Sequence, residues 1–62
     1  MTKYNFVDVT FKDGKLMHFN TVEDTCIDNP FYKICQLRAD EEHIRIVSLR
    51  LDEIVMIEEY LN

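Results

Sequence analysis

The chain has 62 residues, of which 47% are hydrophobic and 31% charged, and its formal net charge is −5. This length predicts one domain, residues 1–62, and so short a domain buries only about 60% of its unfolded surface. The composition is too apolar for a disordered chain and too often interrupted by charge for a membrane span. The acidic balance argues against direct binding to nucleic acid, because neutralising phosphates requires basic residues. It equally disfavours an anionic membrane, whereas a basic protein surface could attract such a domain.

The N-terminus has no positively charged start followed by an apolar run, so the sequence predicts no signal peptide and a cytosolic location. The two cysteines, Cys26 and Cys35, lack the CxxC spacing of redox motifs and are too few for a disulfide framework. With His18 and His43 they follow one another at intervals of eight, nine and eight residues. Structural zinc sites usually bring their ligands in close pairs instead. We therefore predict no metal site and no cofactor.

The first part of the chain predicts a β-hairpin. Residues 4–11 are aromatic or β-branched in alternation, residues 16–20 resume that pattern, and "KDGK" lies between them. A two-residue Asp-Gly loop would split the apolar face of the hairpin. A three-residue loop at residues 12–14 keeps that face intact, with Gly14 supplying the left-handed bulge position. This register pairs Val9 with Met17, Val7 with Phe19 and Asp8 with His18.

The middle of the chain predicts a loop and then a short helix. Residues 21–26 are polar and are interpreted as the loop, and "IDNPFYKICQLR" at residues 27–38 is interpreted as the helix. Asp28 or Asn29 could cap the helix, and Pro30 suits a first turn, where the N–H it lacks would be unpaired anyway. The broad apolar surface of this helix would contain Phe31, Ile34 and Leu37, with Tyr32 and Cys35 beside them.

After a turn at residues 39–42, residues 43–51 predict another strand. Ile44 and Ile46 point to one side of it, whereas Val47, Leu49 and Leu51 point to the other. Either a bulge lies near Val47, or both faces are covered, by the helix or by a partner subunit. Asp52-Glu53 predicts a turn, and residues 54–62 fit a strand and a short helix equally well.

Together these elements predict an α+β fold, a small antiparallel sheet of three to four strands with one short helix. A chain this short often associates with a second copy, so a homodimer is also expected. The sequence contains no phosphate-binding loop, nucleophile elbow or other catalytic motif, and so small a domain has little room for a substrate cleft. We therefore predict that the protein is not an enzyme and has no catalytic residues.

Acidic residues are unevenly distributed. Residues 40–62 contain seven acids against Arg45 and Arg50, and Glu23, Asp24 and Asp28 form a second acidic stretch. One interpretation is that these are solvated side chains that keep sheet edges from aggregating. The other is that carboxylates rim an apolar surface, an arrangement that would suit a basic groove on a partner.

The segments "FVDVT", "DGK" and "LRLDEI", with "NPFYKI" between the last two, resemble the small uracil-DNA glycosylase inhibitor of Bacillus-type tailed phages, over about residues 4–55. The resemblance implies a homodimer that mimics DNA and blocks the DNA-binding face of the host uracil-DNA glycosylase. Carboxylates would replace phosphates, and an apolar pocket between the helices would trap the intercalating side chain of the enzyme. The implied pocket residues are Phe31, Tyr32 and Cys35, and the implied acidic surface contains Glu23, Asp24, Asp28 and Asp52.

Two alternatives to DNA mimicry stay open. One is a small acidic phage interaction or accessory module that binds a partner in some other way. The other is an anti-defence protein that sequesters a small signalling molecule, which would require a deep pocket with convergent polar groups.

Overall fold

The structure is a computed structural model that describes residues 5–37 and 42–60. These residues form five strands and one short 3-10 helix, η1, and the strands make one antiparallel sheet in the order β4-β3-β2-β1-β5. The elements are β1 (Asn5–Phe11), β2 (Leu16–Asp28), β3 (Phe31–Leu37), β4 (Ile44–Arg50), η1 (Leu51–Glu53) and β5 (Ile54–Tyr60). No α-helix occurs in these two ranges, so the prediction of an α+β fold with one helix is wrong.

The predicted hairpin register is confirmed in the pairing of β1 with β2. Val7 lies opposite Phe19, Asp8 opposite His18 and Val9 opposite Met17. Gly14 has a φ of +90°, and its backbone N–H donates to the Phe11 carbonyl at 2.9 Å, which closes the three-residue loop. The alternation of apolar residues and the loop glycine therefore predict the same register.

The predicted polar loop at residues 21–26 is wrong, because β2 continues through it as a strand of 13 residues. Thr21, Val22, Thr25 and Ile27 are β-branched, and such side chains favour an extended backbone. Only Val22 among them is buried, so polar neighbours can stay in solvent while the backbone still pairs with β3. High polarity in this segment reflects an exposed strand rather than a loop.

The predicted helix at residues 27–38 is also wrong. Its first two residues end β2, Asn29 and Pro30 form a turn with a cis peptide bond, and Phe31–Leu37 is β3. Aromatic and β-branched residues dominate the start of β3, which favours a strand. Tyr32 and Ile34, two residues apart, both point into the core, with 3% and 0% exposure. This period of two is hard to recognise in the sequence because apolar residues also lie on the other face of the strand.

The strand predicted at residues 43–51 corresponds to β4, and Val47 and Leu49, which the pattern places on one side of it, both pack against the core. Its seven residues pair with β3 without a register shift, so the predicted bulge near Val47 is absent. Ile44 and Ile46 are instead exposed on the other face. The undecided segment after the η1 turn is a strand, β5, from Ile54 to Tyr60. Of the predicted turn at residues 39–42 only Glu42 lies within the described residues, and residues 61–62 lie outside them.

The core lies on the concave face of a strongly bent sheet. Its buried members come from the three central strands, and they are Val7, Val9, Phe19, Val22, Tyr32 and Ile34. The Tyr32 hydroxyl on β3 reaches the Glu59 carboxylate on β5, although β2 and β1 lie between these strands. In a flat sheet strands at that separation would be about 14 Å apart, so the sheet must curl around the core. No helix in the described residues has the length and apolar character needed to cross a membrane.

Candidate functional site

The inward bend of the sheet brings three polar side chains together around Glu59. The Tyr32 hydroxyl donates to Glu59 Oε2 at 2.6 Å, and the Thr25 hydroxyl donates to the same oxygen at 2.8 Å. The two donors lie on β3 and β2, respectively 27 and 34 residues from Glu59 in the chain. The second carboxylate oxygen, Oε1, has no donor among the described residues. Glu59 is thus held in position through one of its two carboxylate oxygens.

The network keeps Glu59 ionised and Tyr32 neutral. Burial, together with the hydrogen bond to Glu59, raises the pKa of the Tyr32 hydroxyl above its ordinary value of 10.0. The hydrogen bonds from Tyr32 and Thr25 lower the pKa of Glu59 below its ordinary value of 4.5. Neither group therefore changes its charge near neutral pH, where a general acid or base would have to titrate. The arrangement holds a fixed negative charge.

Glu59 lies at the wall of a cavity of about 100 Å³. Three acidic residues line the cavity, and no lysine or arginine of residues 5–37 and 42–60 does. Val7 and Val22 give it an apolar floor, since both are buried. The full lining is Asn5, Val7, Val22, Glu23, Asp24, Thr25 and Glu59. An apolar floor beneath carboxylates suits a group with a hydrocarbon stem and a cationic head.

Two irregularities of the sheet shape this cavity. The register of β1 against β2 shifts between Asn5 and Val7, and that of β2 against β3 shifts between Val22 and Asp24. Thr21, which lies between Phe19 and Val22 where β2 has an extra residue at the first shift, has a φ of +55°, which is unusual for a β-branched residue. Bulges turn side chains away from their regular alternation and are frequent beside functional sites. Here they allow Glu23 and Asp24, neighbours in sequence, to line the same cavity.

The predicted acidic residues divide into two groups. Glu23 and Asp24 line the cavity, whereas Asp28 and Asp52 are neutralised by bases next to them. Lys33 Nζ lies 2.9 Å from Asp28 Oδ2, and Arg50 contacts both oxygens of Asp52 at 3.1 Å. These contacts lower the pKa of both aspartates. None of the three acidic residues that line the cavity forms an ion pair with a lysine or arginine in the described part of the chain.

The three residues predicted to line an apolar pocket do not share one surface. Because side chains alternate along β3, Phe31 and Cys35 point to the convex face and Tyr32 points into the core. Phe31 and Cys35 are half-buried, and Tyr32 is buried. The helix that would have brought them together is replaced by a strand, so this pocket does not form within one chain.

Sequence reasoning missed Glu59 and Thr25. Glu59 belongs to residues 54–62, which fit a strand and a short helix equally well in the sequence. Its one signal is alternation, which places Glu59 on the same side of a strand as Ile57, an apolar residue that packs against the core. Nothing in the sequence indicates Thr25 as its partner.

A second group of side chains occupies the convex face at β1 and β5. The Phe6 and Tyr60 rings stack with centroids 4.7 Å apart, and the His18 ring lies 5.4 Å from Phe6. His18 Nδ1 shares a hydrogen bond with Asp8, and Asp8 lies directly opposite Glu58 in the β1–β5 pairing. Two carboxylates opposite one another on neighbouring strands are unfavourable.

Comparison with known protein families, curated proteins and solved structures finds no match to this chain. Within residues 5–37 and 42–60, no cluster of three or more histidine, cysteine, aspartate or glutamate side chains is placed to hold a metal ion. We therefore identify the candidate site only from its own residues, which form an acidic cavity.

Proposed function

We propose that this protein is an acidic binding module, rather than an enzyme, and that its cavity receives a lysine or arginine side chain from a basic partner surface. The observation that carries the proposal is the fixed, ionised Glu59, whose Oε1 has no described donor, beside Glu23 and Asp24. Hydrogen bonds between ionised partners are roughly twice as strong as neutral ones. The valine floor gives the aliphatic stem of the incoming side chain a place to pack.

The cavity volume supports a side chain better than a free ligand. Pockets for small molecules usually measure about 300–1,000 Å³, whereas this one measures about 100 Å³. A single ammonium or guanidinium group is of a size that suits a cavity of about 100 Å³. The alternative of a sequestering protein for a signalling molecule therefore receives little support from this cavity.

A basic surface of the required kind is typical of proteins that bind nucleic acid, since lysines and arginines contact the phosphates. DNA mimicry against a host uracil-DNA glycosylase in the bacterial cytosol is one form of this proposal, and the resemblance described above supplies that partner. The proposal does not include a pocket between two helices, because the described residues form no α-helix. In its place, cavity carboxylates would engage basic side chains that otherwise contact DNA.

The first test measures binding of a short arginine-containing peptide and of its citrulline counterpart by isothermal titration calorimetry at several salt concentrations. We expect the arginine peptide to bind more tightly, with affinity falling as salt increases. Glu23→Gln should weaken binding about tenfold, because one charge-assisted contact is lost. Asp28→Asn removes an equal charge outside the cavity and serves as the control. Equal affinity for the two peptides, or equal effects of the two variants, would contradict the cavity as the binding site.

The second test asks whether a glycosylase is the partner. The protein is mixed with a bacterial uracil-DNA glycosylase, and release of uracil from DNA is followed. Inhibition that Glu23→Gln relieves and Asp28→Asn leaves intact would support both the cavity and this partner. Loss of inhibition in Phe31→Ala alone would instead place the contact on the convex face. Undiminished uracil release at excess protein would exclude this partner, while the peptide titration still decides the cavity.

A further inference from the structure

The sheet ends in two edge strands, β4 on one side and β5 on the other. Each has seven residues, and in the described structure neither pairs with a strand on its outer side. Their outward N–H and C=O groups can therefore pair with another strand. Both edges also expose apolar side chains, with exposed fractions of 61% for Ile44, 63% for Ile46, 65% for Val55 and 47% for Met56. For a domain of 62 residues this is a large amount of apolar surface on two edges.

The two edges carry charges of opposite sign. β4 contains Arg45 and Arg50, of which Arg50 is paired with Asp52, and no acidic residue. β5 contains Glu58 and the cavity residue Glu59 and no basic residue. Charges on an edge normally protect it, because two copies of the same edge repel each other. Two β4 edges from different copies should therefore repel each other, and so should two β5 edges. A β4 edge and a β5 edge should instead attract each other, because their charges have opposite signs.

Glu58 provides a local reason for a cation to approach β5. It lies directly opposite Asp8, and in the described residues no lysine or arginine pairs with it. The Arg45 side chain on β4 likewise forms no hydrogen bond or ion pair with a described residue, although its backbone lies in the ladder with β3. Bringing these two edges together would place a guanidinium group near two adjacent carboxylates, and charge-assisted hydrogen bonds of that kind are strong.

From this complementarity we infer that copies of the chain associate head to tail, with β4 of one copy adding to β5 of the next. Such a contact joins two different surfaces, so it produces a closed ring or an open chain rather than a two-fold dimer. The occupant of each edge is thus a second copy of the same protein. The inference goes beyond the proposed function and does not depend on it, since neither Arg45 nor Glu58 lines the cavity.

Charge reversal tests the inference by size-exclusion chromatography with light scattering. The unmodified protein should show a mass above that of one chain, rising with concentration and falling with salt. Arg45→Glu and Glu58→Arg should each give monomers, because each creates a like-charge contact at every interface. An equimolar mixture of the two variants should recover the larger mass, since every β4–β5 contact between unlike copies pairs opposite charges. The double variant R45E/E58R should recover it too.

Lys15→Glu is the matched control for Arg45→Glu. It causes the same change in net charge but lies in the loop between β1 and β2, so it should leave the mass unchanged; circular dichroism checks that each variant is folded. A monomeric unmodified protein at the highest soluble concentration would overturn the inference. It would also be overturned if both single variants kept the larger mass. A dimer that the mixture of variants fails to restore would show a two-fold contact instead.

Discussion

The side chain of Tyr32 connects the core to the cavity. Its ring is buried in the core, and its hydroxyl holds the Glu59 carboxylate in place. We expect Tyr32→Phe to lower the free energy of unfolding by about 1–2 kcal/mol, since a hydrogen bond to a charged group is lost while the ring is retained. Urea unfolding measures this change. Tyr60→Phe is the control, because its hydroxyl is exposed and lies 3.3 Å from Glu58. Equal losses in the two variants would show that the Tyr32 hydrogen bond contributes nothing specific.

Glu59 should make stability depend on pH. Because its pKa is lower in the folded protein than the ordinary 4.5, its ionised form favours folding. This contribution is complete above the unfolded pKa and is lost as the pH falls through the lower folded pKa. We expect the difference in unfolding free energy between the unmodified protein and Glu59→Gln to shrink as the pH falls below about 4.5. Asp28 and Asp52, whose pKa values are also lowered, act in both proteins and cancel in this difference. A difference that is constant or grows with acidity would contradict the assignment.

Among the structural elements, the β1–β2 loop depends on the backbone conformation of Gly14. Its φ of +90° is costly for a residue with a side chain, although no atom would contact an added Cβ. Gly14→Ala should therefore destabilise the protein by about 1 kcal/mol or more, purely through the backbone. Thr21 has a φ of +55°, which glycine adopts more readily than threonine does, so Thr21→Gly should be neutral or stabilising. Thermal unfolding compares the two variants, and destabilisation of similar size in both would refute this account.

The elements also show which parts of the fold the sequence could predict. The hairpin was predictable because alternation, a loop glycine and a favourable Asp8–His18 pair all indicate one register. β3 was not, because its apolar residues lie on both faces and fit a helix as well as a strand. Pro30 did not decide between them, since a proline suits the first turn of a helix and also the turn between two strands. Local pattern fails where a strand is apolar on both sides.

The candidate site was predictable only in its acidic character. Local charge indicates an acidic stretch that contains Glu23, Asp24 and Asp28, and the structure places the first two at the cavity. Glu59 completes the site through contacts across 27 and 34 residues, which depend on the curvature of the whole sheet. That curvature follows from strand order and packing, and no short segment encodes it.

At the scale of the whole molecule, stability depends on a very small core. Among residues 5–37 and 42–60, six hydrophobic side chains from three strands are buried, and one of them, Ile34, has 0% exposure. Domains of this kind are stable by roughly 5–15 kcal/mol, and short chains lie toward the lower end. Ile34→Ala should cost about 2–5 kcal/mol, since it removes buried methyl groups and leaves a cavity.

A loss of that size would consume much of the total stability and lower the melting temperature by at least about 10 °C. Ile27→Ala is the matched control, because Ile27 lies on the neighbouring strand β2 with 68% exposure, and its change should stay within about 0.5 kcal/mol. Thermal unfolding followed by circular dichroism at low protein concentration measures both variants without any contribution from association. Similar losses in the two variants would contradict the assignment of Ile34 to the core and of Ile27 to the solvent-exposed surface. A large loss in Ile34→Ala alone would show that burial, rather than position on the concave face, determines the contribution, because Ile27 lies opposite Tyr32 on that same face.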